Sequence, residues 1–221
     1  MNLYIGIDPG LDGALAVLDE SGAVVSVVDM PTISLVKKGK KSKSGKPLHK
    51  RQPMHVVMAE IVKDAKERGN VVVAGMELVS SMPKQGVTSM FSMGRGVGSW
   101  EGIVAALDLP IDYITPQSWK KSFGLLGTDK NASILKAQQS IKGAAGYLTL
   151  VKHDGRAEAI LIAEYTRRKA LGILPVATPT PKVKKVKPAP ADSPCQGLAK
   201  IDAIIKQAAA EELDVVENFF V

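Results

Sequence analysis

The first apolar run of the chain, LYIGID, ends on a carboxylate, Asp8, and a later run, VVVAGME, ends on another, Glu77. A carboxylate stripped of water costs several kcal/mol unless something pairs with it. Such positions are therefore turn residues turned to solvent, or ligands for a cation. Two further acids, Asp154 and Glu158, lie in the stretch KHDGRAEAILIAEY, spaced i and i+4 and hence on one face of a helix. If the strands ending in Asp8 and Glu77 are neighbours and that helix packs over their ends, four oxygen-bearing side chains meet. Unpaired carboxylates raise one another's pKa, and a hard divalent cation removes that cost. Two Mg²⁺ ions at such a site can activate a water and stabilise the leaving oxygen of a phosphodiester. Each residue also has a simpler reading: Asp8 as the turn residue of DPG, Glu77 and Glu158 as solvated acids, Asp154 as a helix cap. His153 is a surface histidine, a further ligand or a proton carrier.

The elements that must position these groups are legible in the pattern. Residues 3–8, 13–18 and 23–29 are short aliphatic runs separated by Gly-containing turns and predict an antiparallel three-stranded meander. Helical spacing over 53–68 precedes a strand at 70–78, apolar enough to be buried on both faces. A long helix over 86–107 carries small residues on one face (Gly94, Gly98, Gly102, Ala105). A strand at 111–114 leads to Thr115 and Pro116, a helix start. Helices follow over 129–141 and 154–171. Five strands in this order predict an α/β fold, a mixed sheet with helices on both faces.

After Leu174 the composition changes. Residues 175–194 hold six of the 13 prolines and the run KVKKVK, which predicts an extended linker through residue 197. An amphipathic tail, 198–221, closes the chain. Residues 1–174 are expected to form the one large domain, with a flexible basic loop at 34–51 that carries eight Lys or Arg and no acid.

No run approaches 18 apolar residues, so no membrane span is expected, and the first residues enter a strand rather than a signal or transit peptide. A single cysteine, Cys195, excludes an internal disulfide and a multi-cysteine zinc site, and fits a reducing cytoplasm. A net charge of +7 favours a polyanionic partner, of which nucleic acid is the commonest.

Four blocks, IGIDPGLDGALAV, MELVSSMPKQGVTSMFSMGRGVGSWEGIVAAL, ITPQSWKKSFGL and HDGRAEAILIAEY, resemble the successive motifs of RuvC-type Holliday junction resolvases, in the branch found in bacteriophages and prophages. The resemblance covers roughly residues 1–171. It implies the RNase H-like fold, a homodimer, and Mg²⁺-dependent cutting of four-way DNA junctions in the cytoplasm of a bacterial or phage-infected cell. By motif position it makes Asp8, Glu77 and Glu158 catalytic metal ligands. The remaining acid of the family lies three residues before the last, where this chain has Gly155. Asp154 stands one residue earlier and is assigned the role, with His153 as a further ligand.

For DNA contact the candidates are Lys37, Lys38, Lys40, Lys41, Lys43, Lys46, Lys50 and Arg51 in the basic segment, Lys120 and Lys121 in PQSWKKSF, and Arg95, which is a dimer or DNA contact. Trp100 and Trp119 read as packing residues. In the tail, Val216, Phe219 and Phe220 either staple the chain to itself or its dimer mate, or dock on a protein partner such as a sliding clamp. The rival functions are an actin- or sugar-kinase-like ATPase, whose first strand shares I-G-I-D-x-G, and a branched-DNA-binding module without catalysis.

Overall fold

A computed structural model describes residues 1–41, 44–81 and 85–174. The expectations for the linker, for the tail with Val216, Phe219 and Phe220, and for Lys43 lie outside the described residues.

The central sheet contains β1 (Asn2–Ile7), β2 (Ala14–Asp19), β3 (Val24–Asp29), β6 (Asn70–Glu77) and β7 (Ile111–Ile114), in the order β3-β2-β1-β6-β7. The first three strands form the antiparallel meander, and β1, β6 and β7 run parallel. This is the mixed five-stranded sheet expected from the element order and from the resemblance. Alternation along the strands builds a core on each face. Leu3, Ile5, Ile7, Leu15 and Val17 pack with Met58 and Val62 of α1 (His55–Arg68) and Trp100 and Val104 of α2 (Val87–Ala106). Ala14, Ala16 and Leu18 face the opposite way, toward α3 (Pro116–Phe123), α4 (Lys130–Ser140) and α5 (Asp154–Ala170).

The last of these helices lies unusually close to the sheet. A side chain at Gly6 would collide with the backbone of Ala159 and Ala163, and one at Gly75 with the side chain of Thr166. α5 is buried almost along its length, with Ala157 and the run from Ala159 to Glu164 shielded from solvent.

The basic segment departs from expectation. Instead of a flexible loop it forms a two-stranded antiparallel hairpin, β4 (Thr32–Lys41) and β5 (Pro47–Pro53). Gly45, at φ +79°, lies in the connection. Leu35 pairs with Lys50 and Val36 with His49. The apolar members Ile33, Leu35, Val36 and Leu48 supply the β-propensity, and the interspersed lysines obscure it in the sequence. A short 3₁₀ turn at Ala144–Tyr147 is a further element that the sequence pattern does not predict. Among the described residues no helix is long and apolar enough to cross a membrane.

Near its C-terminal end α5 is tied down by Glu164, whose side chain is only 4% exposed. It accepts from Arg167 at 2.7 and 2.9 Å and from Arg168 at 2.6 Å. Arg167 also donates to the Glu20 carbonyl at 3.0 Å, in the turn between β2 and β3. Removing the acid leaves two guanidinium groups without their shared acceptor. Glu164→Ala should therefore lower stability by roughly 2–3 kcal/mol in urea unfolding. An unchanged midpoint would mean that the network contributes nothing net.

Candidate active site

Asp8 follows directly on β1, and its amide donates to the Ala14 carbonyl at 3.0 Å to close the β1–β2 turn. Its Oδ1 accepts from the Gly10 amide at 3.1 Å, so one oxygen does serve the turn. Ile7 lies opposite Met76 in the parallel pair, and Asp8 and Glu77 therefore stand at the same end of adjacent strands. Crevices beyond the carboxyl ends of parallel strands are where sheets of this kind place their ligands. α5 crosses that end and contributes Asp154 and Glu158.

The charges of these groups reach one another. Burial, followed by repulsion from Glu158, Glu77 and Asp154, lifts the Asp8 carboxyl to about 7, against the pull of the Gly10 amide. Burial and the nearby Glu158 also push Glu77 up, opposed by the Trp119 indole and the Lys120 ammonium. Both opposing groups come from α3. Trp119 Nε1 donates to Glu77 Oε1 at 2.9 Å, and Lys120 Nζ lies 3.4 Å from Glu158 Oε1. The start of α3 is fixed by Thr115, whose hydroxyl accepts from the Ser118 amide, with Pro116 next.

Residue 155 cannot carry an acid, for a steric reason. A side chain at residue 155 would run into the Asp12 carbonyl and Gly13, because α5 begins hard against the β1–β2 loop. Asp154 stands one residue earlier, on a polar cavity shared with Asp12, Asp29, Arg51, Lys152 and His153. His153 is buried, and its Nδ1 accepts from the Leu150 amide at 3.3 Å. That bond places the proton of the neutral ring on Nε2, so the ring offers its surroundings a donor rather than a metal-binding lone pair.

Among the described residues, no three His, Cys, Asp or Glu side chains close into a ready ligand set. The donor chemistry nevertheless fits a hard divalent cation. Every candidate ligand is a carboxylate oxygen, the group suffers mutual repulsion, and Glu158 already leans on a lysine as counter-charge.

Other predicted residues fall in three places. Lys46, Lys50 and Arg51 belong to the hairpin, as do Lys37, Lys38, Lys40 and Lys41 by their backbone. Arg51 is already committed: its guanidinium pairs with the Asp12 carboxylate and the Leu11 carbonyl, and so fastens the base of the hairpin to the loop that follows Asp8. Lys121 is exposed on α3, and Arg95 is half-buried on α2 beside Gly96, which packs against the Pro9 carbonyl. Two contributors escape the sequence reading. Trp119 reads there as packing alone, although its place in WKK, directly before a site lysine, is an available signal. Nothing in the local pattern singles out Arg156. It clamps the first turn of α5 to Asp29 with two bonds of 2.5 and 2.6 Å, and this holds the Asp29 carboxyl below the usual range.

Comparison with known proteins agrees with the motifs. Over 158 residues, 66% of this chain, the sequence is 29% identical to the chloroplastic Holliday junction resolvase MOC1 of Chlamydomonas reinhardtii. The chain is similar to a Holliday junction resolvase. It spans 18% of the length of that relative. No protein-family model matches. Among solved structures, RuvC of Thermus thermophilus in complex with Holliday junction substrate superposes with a TM-score of 0.48 at 15% identity, over 78% of this chain and 97% of that one. A second Thermus thermophilus RuvC structure gives 0.42 at 15% identity, over 77% and 96%.

The raised Asp8 carboxyl has a consequence for stability. Below pH 3.8 both folded and unfolded chains hold the proton, and Asp8 has no effect. Above it the unfolded chain releases the proton while the folded chain keeps it until about 7. The penalty thus grows from pH 4 to pH 7 and is full above pH 7. With chelator present, Asp8→Asn should stabilise the protein at pH 8, on the order of 4 kcal/mol, and leave it nearly unchanged near pH 4. Equal melting-temperature shifts at the two pH values would rule out a buried, proton-holding Asp8.

Proposed function

We propose that this chain is a metal-dependent endonuclease that resolves four-way DNA junctions by phosphodiester hydrolysis. The observation that supports the reading is that Asp8, Glu77, Asp154 and Glu158 surround one end of two parallel strands, near enough that burial and their repulsion raise the Asp8 carboxyl to about 7. The similarity to a protein named as a Holliday junction resolvase supplies the substrate class. Asp8, Glu77 and Glu158 would hold two Mg²⁺ ions, with Asp154 approaching from the rim. When bound, the ions supply an activated water and charge stabilisation at the leaving oxygen.

The chain's own residues do the rest. The core-anchored Glu77 and the turn-anchored Asp8 keep their oxygens in place without help from substrate. Lys120, beside Glu158, puts a cation where a backbone phosphate enters. The hairpin lysines Lys37, Lys38, Lys40, Lys41, Lys46 and Lys50 neutralise phosphates away from the cut. Paired nicks need two such sites, and a homodimer provides them by two-fold symmetry. The surface of α2 supports that assembly. Gly94, Gly98 and Gly102 lie one turn apart with open space beside each, and Phe91 is 63% exposed. These features would let a second helix approach closely.

A synthetic four-way junction with Mg²⁺ tests the reading. Wild-type protein should introduce paired nicks near the branch and leave linear duplex intact. Asp8→Asn and Glu158→Gln should each slow single-turnover cutting at least ~100-fold while junction binding persists, because each removes a ligand charge without changing shape. Asp154→Asn should cost less, since Gly155 keeps that acid at the rim. Wild-type rates in Asp8→Asn would refute the assignment.

The hairpin has its own expected outcome. Replacing Lys37, Lys38, Lys40 and Lys41 with Ser should weaken junction binding and reduce the slope of log K against log salt by up to ~0.9 for each phosphate no longer neutralised. An unchanged slope would make the hairpin a bystander.

A further inference from the structure

Trp119 joins the core to the carboxylates. Its side chain is fully shielded from solvent, in the cluster with Ile114 and Phe123, yet its indole N–H donates to Glu77 at 2.9 Å. The other tryptophan, Trp100, is buried as deeply, and its Nε1 has no hydrogen-bond partner among the described residues. Burial alone therefore does not oblige an indole in this fold to find a carboxylate.

Several constraints aim the Trp119 donor. Glu77 pairs with Ile114 in the parallel β6–β7 register, and the Leu78 amide donates to the Ile114 carbonyl at 2.8 Å. Thr115 and Pro116 then start α3 at once, so Trp119 is one turn of helix away from a residue opposite Glu77. Lys120, whose ammonium lies 5.0 Å from the centre of the indole ring, reaches Glu158 from the next position. An indole is a donor only, and this one is held by core packing rather than by solvent. With Oε1 engaged, the Glu77 carboxylate has lost its free rotation, and Oε2 remains for another partner.

We propose that Trp119 is a positioning residue of the metal site: its N–H holds Glu77 in the orientation that receives a divalent cation. The proposal rests on the metal-nuclease reading above and adds to it a group that never touches substrate or metal. Outer partners of this kind commonly tune ligand affinity by one to two orders of magnitude.

Trp119→Phe keeps an aromatic ring in the core and deletes the donor. Calorimetric Mn²⁺ titration of the DNA-free protein should show affinity weakened about tenfold. Single-turnover junction cutting should slow by a similar factor at limiting Mg²⁺ and recover as Mg²⁺ is raised, with junction affinity in chelator unchanged. A purely packing role would lower the melting temperature and leave the Mn²⁺ affinity of the folded protein as in wild type, which would overturn the proposal. If Trp119→Phe does not fold, benzothienylalanine at position 119 replaces the N–H by sulfur within the same bicyclic shape, and the same measurements apply. Asp8→Asn separates the two levels. Mn²⁺ binding with wild-type affinity and stoichiometry in Asp8→Asn defeats the metal reading itself. Binding lost in Asp8→Asn but intact in the Trp119 variants defeats only the positioning role.

Discussion

The contact on which the rest of the structure depends is the backbone-to-backbone approach of α5 to the sheet. Gly6 on β1 and Gly75 on β6 give up their side chains so that Ala159, Ala163 and Thr166 can settle against them, and Gly155 does the same where the helix begins on the Asp12–Gly13 loop. Packed interiors tolerate little freedom at such distances. The helix cannot slide or roll without a clash, so Glu158 is fixed relative to Asp8 and Glu77. The same closeness explains why residue 155 carries no side chain, so that the acid at the start of the helix is Asp154.

Around that contact, polar interactions set orientation more than they add stability. Arg156 on Asp29 and Arg167 on the Glu20 carbonyl hold the two ends of α5. Trp119 and Lys120 address Glu77 and Glu158 from a third element. Two carboxylate-bearing elements, β6 and α5, are therefore steadied by groups outside the carboxylate set. This is how an arrangement of repelling charges persists in a folded chain, at the cost of the proton that Asp8 retains near neutral pH.

Much of this is legible in the sequence. The strand-ending positions of Asp8 and Glu77 follow from apolar runs that stop on a charge, and the i, i+4 spacing of Asp154 and Glu158 defines a helix face whatever the tertiary structure. Thr115–Pro116 marks the start of α3 to the residue. What local pattern cannot supply are the long-range partners. Arg51 reads as one more cation in a basic run, and only the fold brings Asp12 to it. Trp119 reads as core because its ring is core, and the direction of a single N–H is decided by the β6–β7 register. The hairpin is hidden because its lysines break the alternation by which a strand is recognised.

Both ends of α5 are fastened to the neighbourhood of β3, through Asp29 at its close and the Glu20 turn before its start. These bonds join residues 127 and 147 positions apart. During synthesis the meander is made first, and the face bearing Ala14, Ala16 and Leu18 is not fully covered until α5, made after α3 and α4, leaves the ribosome. Loop closure of that length precedes its reward, so the domain belongs among slow, late-committing folders. Its vulnerable interval is the time the ribosome takes to travel from β3 to the end of α5, when three finished strands present an apolar face to whatever else is nearby.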